Sequence, residues 1–193
     1  MTQEYYERHA LDFFERTVGV ELHDLYQRYL ALLPYRPRIL DAGCGSGRDS
    51  RALRLLGAEV TSLERSPALA ALAARYCGLP VRIGDFNMIR EEGCYDGVWA
   101  SASLLHVPED RLPETLCRLT RALRAGGAFY LSFKQGLGER QDGLRHFSDQ
   151  TEESLRALIA VVPYLEPLDI WRSESRARPD GLPHWINAFC RRS

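Results

Sequence analysis

A chain of 193 residues, 45% apolar and 26% charged, has room for one domain with a sizeable core and too little for two. Its 25 Lys and Arg against 26 Asp and Glu leave a formal charge of -1, which argues against a general electrostatic hold on nucleic acid or an anionic membrane. The N-terminal MTQEYYERHA has no apolar core and no apolar run approaches the ~18 residues that span a bilayer, so we expect no signal peptide, no anchor and a cytoplasmic protein.

Two helical patterns come first, EYYERHALDFFERTV (4–18) and ELHDLYQRYLALL (21–33), the second with Leu22, Leu25, Tyr26, Tyr29, Leu30 and Leu33 on one face and closed by Pro34 and Pro37. Short β-like runs then alternate with helical ones: RILDA, RDSRALRLLG, AEVTSLE, SPALAALAARYCG, LPVRIGD, DGVWASAS, PEDRLPETLCRLTRALR and GAFYLSFK. That alternation predicts a mostly parallel sheet with helices on both faces, with helix ends at Gly57, Gly78 and Gly126–Gly127. A polar connection, QGLGERQDGLRHFSD, leads to the helix TEESLRALIAVV and two late strands, LEPLDIWRSES and HWINAFCRR. Joined by a loop rather than a helix, these predict an antiparallel pair on the sheet edge. The five cysteines, Cys44, Cys77, Cys94, Cys117 and Cys190, are scattered and odd in number; they read as reduced thiols, and no metal site is expected.

The most specific stretch is RILDAGCGSGRDS (38–50), an apolar run ending in Asp41 and followed by Gly43, Gly45 and Gly47. Glycines after a strand allow backbone to approach a ligand closely. The dinucleotide fingerprint G-x-G-x-x-G requires a third glycine where Arg48 stands, and no G-K-[ST] follows to make a P-loop. An acid at the loop entrance suits a cationic amine better than a pyrophosphate.

LDAGCGSGRDS resembles motif I of the class I S-adenosylmethionine-dependent methyltransferases, whose glycine loop cradles the amino-acid tail of the cofactor. The resemblance implies a Rossmann-like, seven-stranded, mostly parallel sheet with a late antiparallel strand, in one domain over 1–193 whose residues 1–33 form a helical lid. It implies loop contacts to the cofactor at Asp41, Gly43, Cys44, Gly45 and Arg48. Glu64, 23 residues after Asp41 in AEVTSLERS and followed by Arg65, stands where an acid accepts from both ribose hydroxyls. RIGDF places Asp85 and Phe86 at the adenine, and YDGVWASASLLHVP places the backbone of Ala100 and Ser101 beside the methionine part. LRAGGAFYLSF resembles the Pro-Gly-Gly turn before strand five, with Ala125 in place of the proline. More narrowly, GCGSGRDS, YYERHALDFFERT and SLLHVP followed by SFKQGLGER resemble the small bacterial methyltransferases related to tellurite-resistance proteins.

On the first helix Tyr6, Ala10, Phe13 and Thr17 share a face. This stripe is either core or the underside of a lid whose Tyr6 and Thr17 hydroxyls reach the cofactor carboxylate. His106, after the fourth strand, is a candidate general base, and Lys134, the sole lysine, ends strand five at the same rim. Arg140 and Arg145, with His146, lie on the following loop as a candidate clamp for an anionic or small polar acceptor. The expected function is methyl transfer from S-adenosylmethionine to a small molecule; the alternative is a module of the same fold that binds the cofactor without turnover. No basic stripe or added domain points to nucleic acid.

Overall fold

The computed structural model describes residues 2–175 and 178–193. Three helices open the chain, α1 (Thr2–Arg8), α2 (Ala10–Val18) and α3 (His23–Leu30). The first expected helix is therefore two. His9 leaves helical geometry with φ -115° and ψ 25°, which separates α1 from α2.

Strands and helices then alternate: β1 (Arg38–Ala42), α4 (Arg48–Leu55), β2 (Glu59–Glu64), α5 (Pro67–Cys77), β3 (Val81–Ile83), β4 (Tyr95–Ala100), α6 (Leu112–Ala122) and β5 (Leu123–Lys134). The chain continues through β6 (Gly138–Asp142), β7 (Arg145–Asp149), α7 (Glu152–Ala160), β8 (Leu165–Ser175) and β9 (Arg178–Arg192). Seven strands form one sheet in the order β3-β2-β1-β4-β5-β9-β8, in which β9 runs antiparallel to both its neighbours. The late antiparallel pair lies on the edge, as the sequence predicts.

Two details differ from expectation. Gly126 and Gly127 do not end a helix: α6 stops at Ala122 and the glycines form an irregularity inside β5, where the pairing jumps from Tyr95↔Leu123 to Gly97↔Ala128. The polar connection 135–149 is not a loop but carries a hairpin, β6–β7, turning at Gly143 with φ +59°. Gly143-Leu144 fills the two turn positions between the paired Asp142 and Arg145, a Gly-first hairpin turn that is obscured in the sequence because the flanking residues are charged and lack an apolar alternation.

The sheet has a core on each face. On one, Leu40, Val98, Phe129 and Leu131 pack with Leu116 and Leu119 of α6 and Leu155 and Ile159 of α7. On the other, Ile39, Trp99, Tyr130 and Phe189 pack with Tyr26 and Tyr29 of α3 and Leu53 of α4. Gly97 permits this second contact, because a Cβ there would overlap the Tyr29 hydroxyl, which lies 2.9 Å from the Val98 carbonyl oxygen. Strand order reverses between β1 and β4, so their C-terminal ends diverge and leave a crevice above the sheet.

Candidate active site

The glycine loop turns at that crevice. Gly43 has φ +85°, and a Cβ on it would come within 2.5 Å of Ser103 Cβ, so only bare backbone passes there. Gly45 has φ +55°, and a Cβ on it would lie 3.3 Å from the Phe13 ring of α2. Glu64 ends β2 beside it, accepting from the backbone N–H of Gly45 at 3.1 Å and of Ser66 at 2.9 Å. Burial pushes the Glu64 carboxyl above its ordinary range, against the pull of those N–H donors. A carboxylate has about four acceptor directions, so this one retains capacity for two more hydroxyls.

Asp41 does not open into the cavity. Period-two alternation along β1 places its side chain on the face of Ile39, toward α4, where its carboxylate accepts from Ser50 Oγ at 2.5 Å. Ser50 is in turn 2.8 Å from Ser62 Oγ. Burial and the charge of Asp49 raise the Asp41 pKa. Sequence reading missed Asp49, the acid next in line. Its carboxylate accepts from Arg48 Nε at 2.6 Å, Tyr26 Oη at 2.5 Å and Trp99 Nε1 at 2.9 Å, joining α4, α3 and β4 below the loop. Burial alone would raise the Asp49 pKa; Arg48 and the two neutral donors turn the net shift downward. Arg48 thus spends its guanidinium on Asp49, with a longer reach of 3.5 Å to the Thr17 carbonyl oxygen.

The other strand ends supply the opposite wall. Asp85 accepts from Asn87 N at 2.9 Å and opens a short turn over Phe86–Met88. After β4, Ser101, Ala102 and Ser103 line the cavity, with the Ala102 N–H donating to Ser132 Oγ at 2.9 Å and Ser103 Oγ to the Ala42 carbonyl oxygen at 2.6 Å. Ala100 is fully buried in the core and does not reach the cavity. Cys44 and Arg65 do, the latter bonded to Gln3 of α1 at 3.1 Å.

Helices α1 and α2 close the top, with Tyr6, Phe13 and Thr17 facing the cavity and Ala10 buried. The Thr17 hydroxyl donates to its own helix at Phe13 O, 2.8 Å away. Glu7 fastens α1 on one side, accepting from Ser66 Oγ at 2.6 Å and Ala68 N at 3.2 Å. Thr2 Oγ1 accepts from His146 N at 3.0 Å on the other. Between these, Tyr6 Oη lies 2.7 Å from His106 Nε2.

The other ring nitrogen of His106, Nδ1, is 2.7 Å from the His146 carbonyl oxygen. A carbonyl only accepts, so Nδ1 carries the proton, Nε2 is the acceptor and Tyr6 donates to it. Burial lowers the His106 pKa to about 4, with Arg145, His146 and Arg140 adding repulsion against the Nδ1–H···O=C bond that favours the charged ring. The unfolded chain takes up this proton near 6.5 and the folded one only near 4. His106 therefore costs stability as pH falls between those values, with a slope of at most about 1.4 kcal/mol per pH unit. Denaturation of wild type and His106→Asn between pH 4 and 7 should show the wild type losing stability more steeply on acidification; parallel curves would show that the ring is protonated in the folded protein.

The rim holds the expected cations, but the arginines are paired. Arg140 Nε binds Asp149 at 2.5 Å and lies over the Phe147 ring, and Arg145 binds Asp142 at 2.5 Å and lies 4.6 Å from the Tyr5 ring centroid. Lys134 Nζ lies 3.9 Å from the centroid of Trp185. Beside them the face of β5, β9 and β8 adds Tyr130, Asn187, Trp185 and Trp171, an aromatic wall that local sequence pattern had not singled out. Tyr130 Oη donates to Asn187 Oδ1 at 2.9 Å. The whole cavity measures about 1390 Å³, above the ~300–1,000 Å³ of a pocket for one small ligand and enough for two side by side.

Together the sheet, the glycine loop and the acids at the strand ends make up the Rossmann-like fold of class I methyltransferases, and the family model described as a methyltransferase domain matches residues 39–127. Ubiquinone biosynthesis O-methyltransferase of Xanthomonas oryzae pv. oryzae is 33% identical over 103 residues, covering 49% of this chain and 42% of that protein. The chain thus spans less than half the length of the curated relatives of this kind. Among solved structures, 1,6-didemethyltoxoflavin-N1-methyltransferase of Burkholderia thailandensis, with bound 1,6-didemethyltoxoflavin and S-adenosylhomocysteine, shares the fold with a TM-score of 0.77 at 24% identity, covering 98% of this chain and 84% of that one. TehB of Haemophilus influenzae shares it with a TM-score of 0.71 at 18% identity, covering 94% and 66%.

Proposed function

We propose that this protein is an S-adenosylmethionine-dependent methyltransferase acting on a small molecule, as one domain over 1–193 with residues 1–33 as its lid. The observation that carries the reading is the pairing of a side-chain-free loop at Gly43 and Gly45 with the buried carboxylate of Glu64, which is bonded to Gly45 N and still has acceptor capacity. These residues fit the cofactor: backbone for its aminocarboxylate tail, an acid for its ribose, and Asp85 and Phe86 at the adenine end. When bound, S-adenosylmethionine supplies a methyl group activated by its positively charged sulfur. The chain supplies alignment and exclusion of water, through α1 and α2 above and Ser101 to Ser103 below.

The remaining volume, between His106, Lys134 and the aromatic wall, is assigned to the acceptor. Arg140 and Arg145, each paired with an aspartate, hold the β6–β7 hairpin over this volume more than they offer charge to an anion. The named activities of the relatives, O-methylation in ubiquinone biosynthesis and N-methylation of didemethyltoxoflavin, support an organic acceptor. The free state of all five cysteines is compatible with the cytoplasm.

Calorimetric titration with S-adenosylhomocysteine, followed by transfer of labelled methyl groups to a broad panel of small molecules, tests the reading. Saturable binding with transfer is expected. A protein that binds neither S-adenosylmethionine nor its product is not a methyltransferase; one that binds both and transfers to nothing is a cofactor-binding module.

A further inference from the structure

We infer that Tyr6 is a catalytic residue, carried on the lid, which takes the acceptor's proton while passing its own to His106, and that the acceptor is a neutral protic compound: a phenol, an alcohol or an N–H heterocycle. The inference rests on the methyltransferase reading and deepens it.

The geometry is directional. His106 is held with its proton on Nδ1 against the His146 carbonyl oxygen, so its one lone pair, on Nε2, points at the Tyr6 hydroxyl 2.7 Å away. Any proton reaching this base from the cavity side meets the Tyr6 oxygen first. Both side chains line the cavity, and His106 closes the short helical turn Leu104–His106 that follows Ser101 to Ser103, the strand-end backbone assigned to the reacting end of the cofactor. Among the described residues, Arg145 Nε is a buried donor with no hydrogen-bond acceptor. Burial raises the Tyr6 pKa, with the nearby Glu64 and Tyr5 adding to it and the Arg145 charge opposing it, so the hydroxyl keeps its proton and relays one rather than resting as an anion. Phe147 lies 4.9 Å from the His106 ring centroid, and burial with the charges of Arg145, His146 and Arg140 disfavours the imidazolium, so a proton that reaches His106 is held only in passing and is released before the next turnover.

An acceptor that arrives already ionised has no proton to give, and a neutral base aimed through a hydroxyl would serve it no purpose. An acceptor O–H or N–H uses the whole chain. In the transfer its lone pair forms the bond to the methyl carbon, and the electron pair of the broken carbon–sulfur bond stays on sulfur, giving S-adenosylhomocysteine. The acceptor proton goes to the Tyr6 oxygen and the Tyr6 hydroxyl proton to His106 Nε2. One positive charge has moved from sulfur to an imidazolium whose Nδ1–H remains on the His146 carbonyl. Because Tyr6 belongs to α1, this base is assembled only when the lid is down.

The test uses the whole chain, with S-adenosylhomocysteine as the binding probe and a series of para-substituted phenols of graded acidity, from 4-methylphenol to 4-nitrophenol, as acceptors, beside selenite and tellurite. Tyr6→Phe should bind S-adenosylhomocysteine within about two-fold of wild type, yet lose about 100-fold or more of kcat on the least acidic phenol. The loss should shrink along the series and nearly vanish for 4-nitrophenol, which ionises in solution. His106→Asn should show the same gradient. Nitrogen NMR of the ligand-free protein should show His106 protonated on Nδ1, with its Nε2 resonance moving in Tyr6→Phe. A loss that is equal across the series, an unaffected kcat, or transfer by wild type to selenite and tellurite but to no phenol overturns the inference. A wild-type protein that fails to bind S-adenosylhomocysteine overturns the methyltransferase reading instead.

Discussion

Asp49→Ala is expected to lower the unfolding free energy by at least about 3 kcal/mol. The carboxylate accepts from Arg48, Tyr26 and Trp99, and its removal strands a cation and two neutral donors in the interior. A stranded buried charge costs about 3–5 kcal/mol; the lower figure applies because the Arg48 side chain keeps 19% of its surface exposed. Each orphaned donor adds to this. Urea unfolding followed by tryptophan fluorescence reads the effect as a lower midpoint at unchanged slope. A loss under about 1 kcal/mol would mean that water enters and satisfies the donors. Asp49 is also the pin between α3, α4 and β4, so a variant that survives folding should hold the loop less firmly and bind cofactor more weakly.

Glu64→Ala should weaken binding of S-adenosylhomocysteine by about 100-fold, on the basis that two hydrogen bonds to a charged acceptor contribute about 1.5–3 kcal/mol each and that water recovers part of the loss. The side chain is buried and accepts from the backbone N–H groups of Gly45 and Ser66 rather than from charged side chains, so the fold should tolerate the change far better than it tolerates loss of Asp49. Glu64→Gln keeps one acceptor oxygen and should fall between the two. Calorimetry on a variant whose melting shows it folded decides the matter: unchanged affinity would remove Glu64 from the cofactor site, and with it the main support for the loop assignment.

These two acids show what a local pattern conveys. Glu64 is legible because it ends a strand at a fixed distance from the glycine loop, and strand ends in this architecture open on the ligand crevice. Asp41 meets the same description, yet its side chain points beneath the loop. In a strand buried on both faces, alternation says that neighbours part company but not which face lies under the ligand. Asp49 carries no signal of its own, since an acid in the first turn of a helix is ordinarily a solvated helix-dipole partner.

The glycine loop, the alternation of strands and helices from β1 to β5, the position of Glu64 at the end of β2 and the antiparallel edge were determined by the sequence alone. They depend on turn chemistry, hydrophobic period and spacing, which act over a few residues. Tertiary structure decided what needs distant partners. His9 divides the first helix so that α1 bridges Ser66 and His146, and the charged hairpin β6–β7 folds back until Arg140 and Arg145 find Asp149 and Asp142. Only β8 and β9 joining the edge set Trp171 and Trp185 in the cavity wall. Tyr6 and His106 stand 100 positions apart, and no period in the sequence relates them. They meet because the lid closes over the end of β4, and packing of whole elements, rather than the propensity of any segment, sets that distance.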